Sequence, residues 1–269
     1  MSLRRSGRRG RLLLGVAPTV VLVVSCAPLV TSHSGPQVNI LPDPPPAVAP
    51  PDPGVEPPRA RLLDPGSAPV SVQERPQSQL VGWSESMSDE LNIPRAALQA
   101  YGYTARYLEA AVPDCGLSWT VLAGIGSVES SHGRYGGASL DETGRPSKPI
   151  RGMPLDGSEG VKRIEDTDGG ELDGDVVFDR AVGPLQFIPG TWEKWAVDAD
   201  VDGVADPDDI DDAALAAGKY LCAEGGDLRN PEGFWTAMLA YNQSEQYAQD
   251  VLDRADQYGR RSQTLASER

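Results

Sequence analysis

Fourteen of the 24 prolines in this 269-residue chain fall between residues 27 and 79, a stretch poor in aromatic side chains. Proline fixes φ and removes an amide donor, so such a segment builds neither helix nor ladder, and it lacks the apolar bulk to bury a core. Residues 26–79 therefore read as an extended, polyproline-like tether. What is left to fold, residues 80–259, is about 180 residues long and holds all five Trp. That is one domain with a sizeable core. Residues 260–269 read as a disordered tail.

The first 25 residues read as an export signal. Arg4, Arg5, Arg8, Arg9 and Arg11 precede an apolar run from Leu12 to Val24, and Val23-Val24-Ser25-Cys26 ends it. The run is about 13 residues, short of the ~20 that span a membrane. Its end is similar to a lipobox, in which Cys26 is lipidated and becomes the new N-terminus. Ordinary cleavage just beyond Cys26, or an uncleaved anchor, are the alternatives. The expected location is the cell envelope, on the outer face of the cytoplasmic membrane, held by lipid. With Cys26 lipidated, Cys115 and Cys222 remain in a compartment that permits disulfides, and a bridge between them is expected over two buried thiols. No CxxC or Cys/His cluster suggests zinc.

Charge narrows the partners. The formal net charge is −15, and loss of the five signal arginines, balanced by no acid, makes it −20. Such a surface argues against nucleic acid and against direct adhesion to anionic lipid. A substrate rich in carboxylates needs a locally basic site, for which Arg134, Arg151, Arg163 and Arg180 are candidates. The protein is expected to be a monomer.

Helical signals dominate the domain. Asn92 is placed to cap Pro94 to Val112, and Ser118 to cap Trp119 to Ser131, with Gly133 as the stop. Pro189 opens Gly190 to Val197, and Asp209 or Asp211 caps a stretch through Ala223, closed by Gly225-Gly226. Asn230-Pro231 starts Glu232 to Tyr241, and Ser244 starts Glu245 to Tyr258. Strand alternation is nearly absent, apart from the Gly- and Asp-rich insertion from Arg134 to Asp179, which has room for a short β-hairpin or a loop over a cleft. The expected class is mainly α.

Within the Trp119 helix, at ~100° per residue, Glu129 falls about 20° from Leu122, with Ile125 one turn behind. An ionisable carboxyl is thus aimed along an apolar stripe in the last helical turn. Desolvation and the negative end of the helix dipole both disfavour its charged form and raise its pKa. A carboxylic acid protonated near neutral pH is what protonating a glycosidic oxygen requires. The alternative is a solvated Glu at a frayed helix end. Downstream, Gly183-Pro184-Leu185-Gln186-Phe187 is a non-helical turn carrying one amide between apolar neighbours, followed by Pro189 and Trp192. An amide framed by aromatics suits an N-acetylated sugar. A loop packed into the core, with Gln186 satisfying backbone groups, is equally readable from the turn alone. Ala240-Tyr241-Asn242, with Tyr247 beyond it, is in isolation a helix end whose Asn caps a turn.

Taken in order, Glu-Ser at a helix end, Gly-x-x-Gln-Phe-x-Pro-x-x-Trp, then Ala-Tyr-Asn resemble the lytic murein transglycosylases of the membrane-bound B type, over about residues 90–258. The resemblance implies a lysozyme-like helical domain acting on peptidoglycan glycan strands. Glu129 matches the catalytic acid. Gln186, Tyr241 and Asn242 match glycan-binding positions, Phe187 a cleft wall, and Ser130 and Tyr247 are counted with them as substrate-binding. The implied reaction cleaves the β-1,4 bond between N-acetylmuramic acid and N-acetylglucosamine without water, leaving a 1,6-anhydro end, with no cofactor for catalysis. Two other readings stand beside it. A lysozyme-type hydrolase needs a second acid about 5 to 9.5 Å away, for which Asp179 is the nominee. A glycan-binding envelope lipoprotein would leave Glu129 idle.

Asp198-Ala199-Asp200-Val201-Asp202-Gly203-Val204, reaching Asp209, follows the EF-hand order, with carboxylates at loop positions 1, 3 and 5, Gly at 6, the Val204 carbonyl at 7 and a carboxylate at 12. Asp209 departs from the usual Glu, and its shorter arm weakens bidentate ligation. Some relatives of the resembled family carry a calcium loop here. A structural calcium is expected, against the alternative of a solvated acidic loop.

Overall fold

The computed structural model describes residues 48–65 and 75–268. The export signal, Cys26 and the first part of the tether lie outside these residues. A 3-10 turn, Pro76–Leu80, leads into α1 (Val81–Glu85), α2 (Ser88–Leu91), α3 (Arg95–Ala111) and α4 (Trp119–Ser130). The insertion then contributes β1 (Arg151–Pro154) and β2 (Arg180–Val182), and α5 (Pro189–Trp195), α6 (Ile210–Gly225), α7 (Pro231–Tyr241) and α8 (Glu245–Ser267) complete the chain. The class is mainly α, as expected. Among the described residues no helix is long and apolar enough to cross a membrane.

Helix starts follow local chemistry. Asp209, Asn230 and Ser244 cap α6, α7 and α8, accepting from the amides of Asp211, Gly233 and Tyr247, and Pro189 and Pro231 occupy first helical positions where a missing N–H costs nothing. Two expected caps behave differently. Asn92 ends α2 in the left-handed region (φ 53°) instead of starting α3, a conformation that Asn tolerates better than most residues. Ser118 precedes α4, but its hydroxyl bonds Thr120 Oγ1 at 2.7 Å and leaves the backbone uncapped.

The core forms where α3, α4, α6, α7 and α8 converge, around buried Leu98, Tyr101, Leu122, Ile125, Ile210, Phe234 and Val251. α4 and α8 approach closely because Gly124 is bare: a Cβ there would sit 2.7 Å from the Val251 carbonyl. Cys115 and Cys222 are bonded, closing 107 residues and pinning α6 to the loop before α4. β1 and β2 pair antiparallel, Arg151 opposite Val182 and Pro154 opposite Arg180, so the insertion does contain a short two-stranded sheet.

Two boundary expectations change. The segment from Arg260 is no tail, since α8 runs on to Ser267 with Ser262 and Leu265 buried. Residues 48–65 are no free tether either. Their carbonyls take hydrogen bonds from side chains of the domain: Trp119 Nε1 to Val55 O (3.0 Å), Thr120 Oγ1 to Asp52 O (3.0 Å), Arg106 Nε to Pro57 O (2.6 Å). Val55 N and Leu63 N donate in return to Ser262 Oγ and Tyr103 OH. A proline-rich strand lacks amide donors but keeps every acceptor, so helices offering side-chain donors can hold it.

Candidate active site

Glu129 lies half-buried in the last turn of α4, and its Oε1 accepts a hydrogen bond from Tyr247 OH at 2.7 Å. Burial pushes the carboxyl up to about 7, against the pull of the tyrosine bond, which favours the charged form. Tyr247, at the start of α8, stacks on Tyr241 with planes 6° apart and centroids at 6.4 Å. Tyr241 OH donates to Leu185 O at 2.7 Å, inside the turn that carries Gln186. A chain of contacts thus runs from the acid through two tyrosines to the glutamine turn.

A second link runs through Ser130. Its hydroxyl donates to Pro184 O and accepts from Gly133 N at 2.7 Å, and the residue is only 1% exposed. The structure therefore places Ser130 behind the site, tying the end of α4 to the turn, with no free polar atom for a sugar. Phe187 is 3% exposed, packed edge-on against Trp192 (5.4 Å) and Tyr241 (6.1 Å). It supports the site from within the core. Asn242 follows α7 and is exposed.

Gln186 itself sits at φ 51°, an uncommon region for a residue with a side chain, and its Nε2 bonds Gly183 O at 2.9 Å. The turn can close only because Gly183 has φ 75° and no Cβ. One built there would fall inside the Pro207 carbonyl. Val182 and Phe187 exchange backbone hydrogen bonds across it (2.8 and 2.9 Å). Asp179, the nominee for a second acid, is fully buried, and its two oxygens accept from the Thr167 amide and hydroxyl, both at 2.8 Å. It is spoken for as a loop staple.

Sequence reasoning passed over His132. Its ring bridges Tyr101 OH (3.2 Å) and Tyr258 OH (3.0 Å) beneath the end of α4, and burial, with the charges of Arg134 and Arg254, lowers it to about 3. The imidazole is neutral wherever Glu129 titrates. Ser131, His132 and Gly133 all have positive φ, so the left-handed stop begins at Ser131, two residues before Gly133, and α4 closes at Ser130.

The expected calcium loop lies directly beyond the glutamine turn. Carboxylate oxygens of Asp198, Asp200 and Asp212 come within 4.8 Å of one another, and so do those of Asp200, Asp209 and Asp211. In the sequence Asp211 stands only as an alternative cap of α6, and nothing singles out Asp212; both are acids of its first turn. Of the expected ligands, Asp202 turns its Oδ2 to Arg145 (2.9 Å). Asp209 caps α6 with Oδ1, while its Oδ2 has no hydrogen-bond partner and meets only Arg145 Nε at 3.4 Å. Burial first, and neighbouring carboxylates, raise Asp200 to about 6, Asp209 to about 8 and Asp212 to about 9. An all-carboxylate donor set with an orphaned buried oxygen fits a hard, oxygen-seeking cation.

Residues 178–238 match the family model of the transglycosylase SLT domain. The matched segment spans the Gln186 turn, the acidic loop, α6 and most of α7, and stops short of Tyr241. Among solved structures, the Escherichia coli lytic transglycosylase Slt35 in complex with bulgecin A is similar at 17% identity, over 70% of this chain and 79% of that one, with a TM-score of 0.36. No match is found among the curated proteins.

Proposed function

We propose that the protein is a peptidoglycan lytic transglycosylase of the membrane-bound B type with a lysozyme-like domain, and that Glu129 is its acid and then its base. The observation that carries this reading is the half-buried Glu129 carboxyl, raised to about 7, bonded to Tyr247 and linked through Tyr241 to the Gln186 turn. The match of residues 178–238 to the transglycosylase SLT domain supports it independently, because Glu129 lies outside the matched segment.

In this mechanism protonated Glu129 gives its proton to the oxygen linking N-acetylmuramic acid to N-acetylglucosamine. The cationic sugar is met by its own 2-acetamido oxygen, and the carboxylate left at Glu129 takes the proton of the 6-hydroxyl as that oxygen closes the 1,6-anhydro ring. One carboxyl suffices, which accords with Asp179 being bonded to Thr167. Tyr247 donates to the carboxylate that the first step creates. Gln186, Tyr241 and Asn242 hold the glycan. Purified peptidoglycan incubated with Glu129→Gln tests the assignment: cleavage is expected to fall by ~10²- to 10⁴-fold, the range of a lost general acid, and parent-like cleavage refutes it.

We further infer export through residues 1–25, lipid attachment at Cys26 and a monomeric state. A calcium held by Asp198, Asp200, Asp202, Asp209 and the Val204 carbonyl, with Asp212 nearby, would offset carboxylate repulsion beneath the Gln186 turn and take no part in the chemistry. Calcium is expected to raise the thermal midpoint of the parent and not that of Asp209→Asn. A midpoint unmoved by calcium and by chelator speaks against the site.

A further inference from the structure

Of the four arginines that sequence offers for a locally basic site, three are already neutralised. Arg151 meets Asp208, Arg163 meets Glu165, and Arg180 meets Asp175. Arg134 is different. Its guanidinium donates to Ser131 O (2.8 Å), Asn92 Oδ1 (2.9 Å) and Asn92 O (2.8 Å), all neutral acceptors, so its position is fixed, and among the described residues it makes no ion pair. A cavity of about 640 Å³ opens beside it, between the end of α4 and the outer face of α8, a size typical of small-ligand sites at ~300–1,000 Å³. Arg254 lines the same cavity and, among the described residues, makes no ion pair. Asp250 and Asp253 also line it, each accepting from a glutamine of α8 with one oxygen and, among the described residues, bonding nothing with the other. Ser127, also in the wall, lies two residues from Glu129 and so about 160° around α4 from it. The cavity is on the other flank of the helix from the acid.

We propose that this cavity binds a peptide carrying a terminal carboxylate and a side-chain ammonium, the carboxylate between Arg134 and Arg254 and the ammonium toward Asp250 and Asp253. With three of its N–H groups already held by Ser131 and Asn92, the Arg134 guanidinium offers an incoming carboxylate its charge and a remaining N–H donor from a fixed position, with little further loss of side-chain freedom. The pairing of two cations with two acids selects a zwitterionic ligand over a simple anion. Resting on the reading above, the ligand is the peptide stem of peptidoglycan, and the site grips a stem away from the bond being cut. For a chain of net charge −15, such a grip supplies the local attraction that the surface as a whole denies to an acidic polymer.

Isothermal titration of the full exported chain with acetyl-Lys-D-Ala-D-Ala, lysine amine free, and with its C-terminal amide tests this. The free acid is expected to bind, the amide at least about tenfold more weakly, and both Arg134→Gln and Arg254→Gln to weaken the acid by at least about tenfold, the scale of a lost charge-assisted contact. Should Arg134→Gln disturb the turn at Asn92, exposed Arg254 decides. Glu129→Gln is expected to bind as the parent does, so failure of the cleavage reading leaves this measurement intact. Absence of binding, equal affinity for acid and amide, or an unaffected Arg254→Gln overturns the proposal.

Discussion

At the scale of single residues, the pH behaviour of Glu129 is the sharpest consequence of the geometry. Its carboxyl is raised to about 7 by burial, so the proton-donating form is lost as pH climbs through that value, and kcat/KM is expected to fall on the alkaline side with an apparent pKa near 7. Tyr247 favours the charged form, so Tyr247→Phe is expected to move that limb to higher pH, and a limb that stays put or moves down contradicts the role given to the hydroxyl. The linkage to stability has the matching sign: a carboxyl raised in the folded state contributes below its ordinary value near 4.5, and the contribution is lost as pH rises through 7. That Glu129 faces apolar neighbours is legible in the sequence from its spacing to Leu122. That Ser130 and Phe187 turn inward is not. Both follow from where Pro184 reaches Ser130 and Tyr241 reaches Phe187 from elsewhere in the chain, which no local pattern encodes.

At the scale of elements, helix starts are readable wherever a polar side chain or proline stands at the cap, as at Pro189, Asp209, Asn230 and Ser244. The end of α8 is not, because the polar stretch after Tyr258 buries only Gly259, Ser262 and Leu265, too little apolar bulk for a helical spacing to show. The Gln186 turn depends on one glycine. Gly183→Ala puts a methyl into the Pro207 carbonyl at φ 75°, and a loss of more than about 1 kcal/mol in stability is expected, together with reduced cleavage, measured by denaturant unfolding and by turnover of peptidoglycan. A variant as stable and active as the parent would show that the turn tolerates displacement. Removing the Cys115–Cys222 bridge, by a double change to Ser, is expected to cost ~4 kcal/mol in unfolding free energy, since the closed loop is long. Unchanged unfolding would place that bridge outside the stability of the domain.

For the whole molecule, the working domain begins earlier than proline content suggests. Arg75, inside the expected tether, makes a two-pronged contact with buried Asp211 at 2.6 Å and also reaches Gln99 and the Glu142 carbonyl, joining the chain before α1 to the acidic cluster. Its side chain is 9% exposed and that of Asp211 is fully buried, so Arg75→Gln strands a buried carboxylate, at an expected cost of ~3–5 kcal/mol in thermal or denaturant unfolding. A chain starting at residue 80 is expected to share that loss, and one starting at residue 48 to keep parental stability. The sequence conveys that prolines cannot form a core, but not that their carbonyls meet Trp119, Thr120 and Arg106 across the fold. One carboxyl serves both proton transfers in the proposed mechanism, and mass spectrometry of the sugar ends released from purified peptidoglycan tests this most directly. Parent protein is expected to release 1,6-anhydro ends and Glu129→Gln to release almost none. Reducing ends from the parent, or anhydro ends from Glu129→Gln at the parental rate, would contradict it.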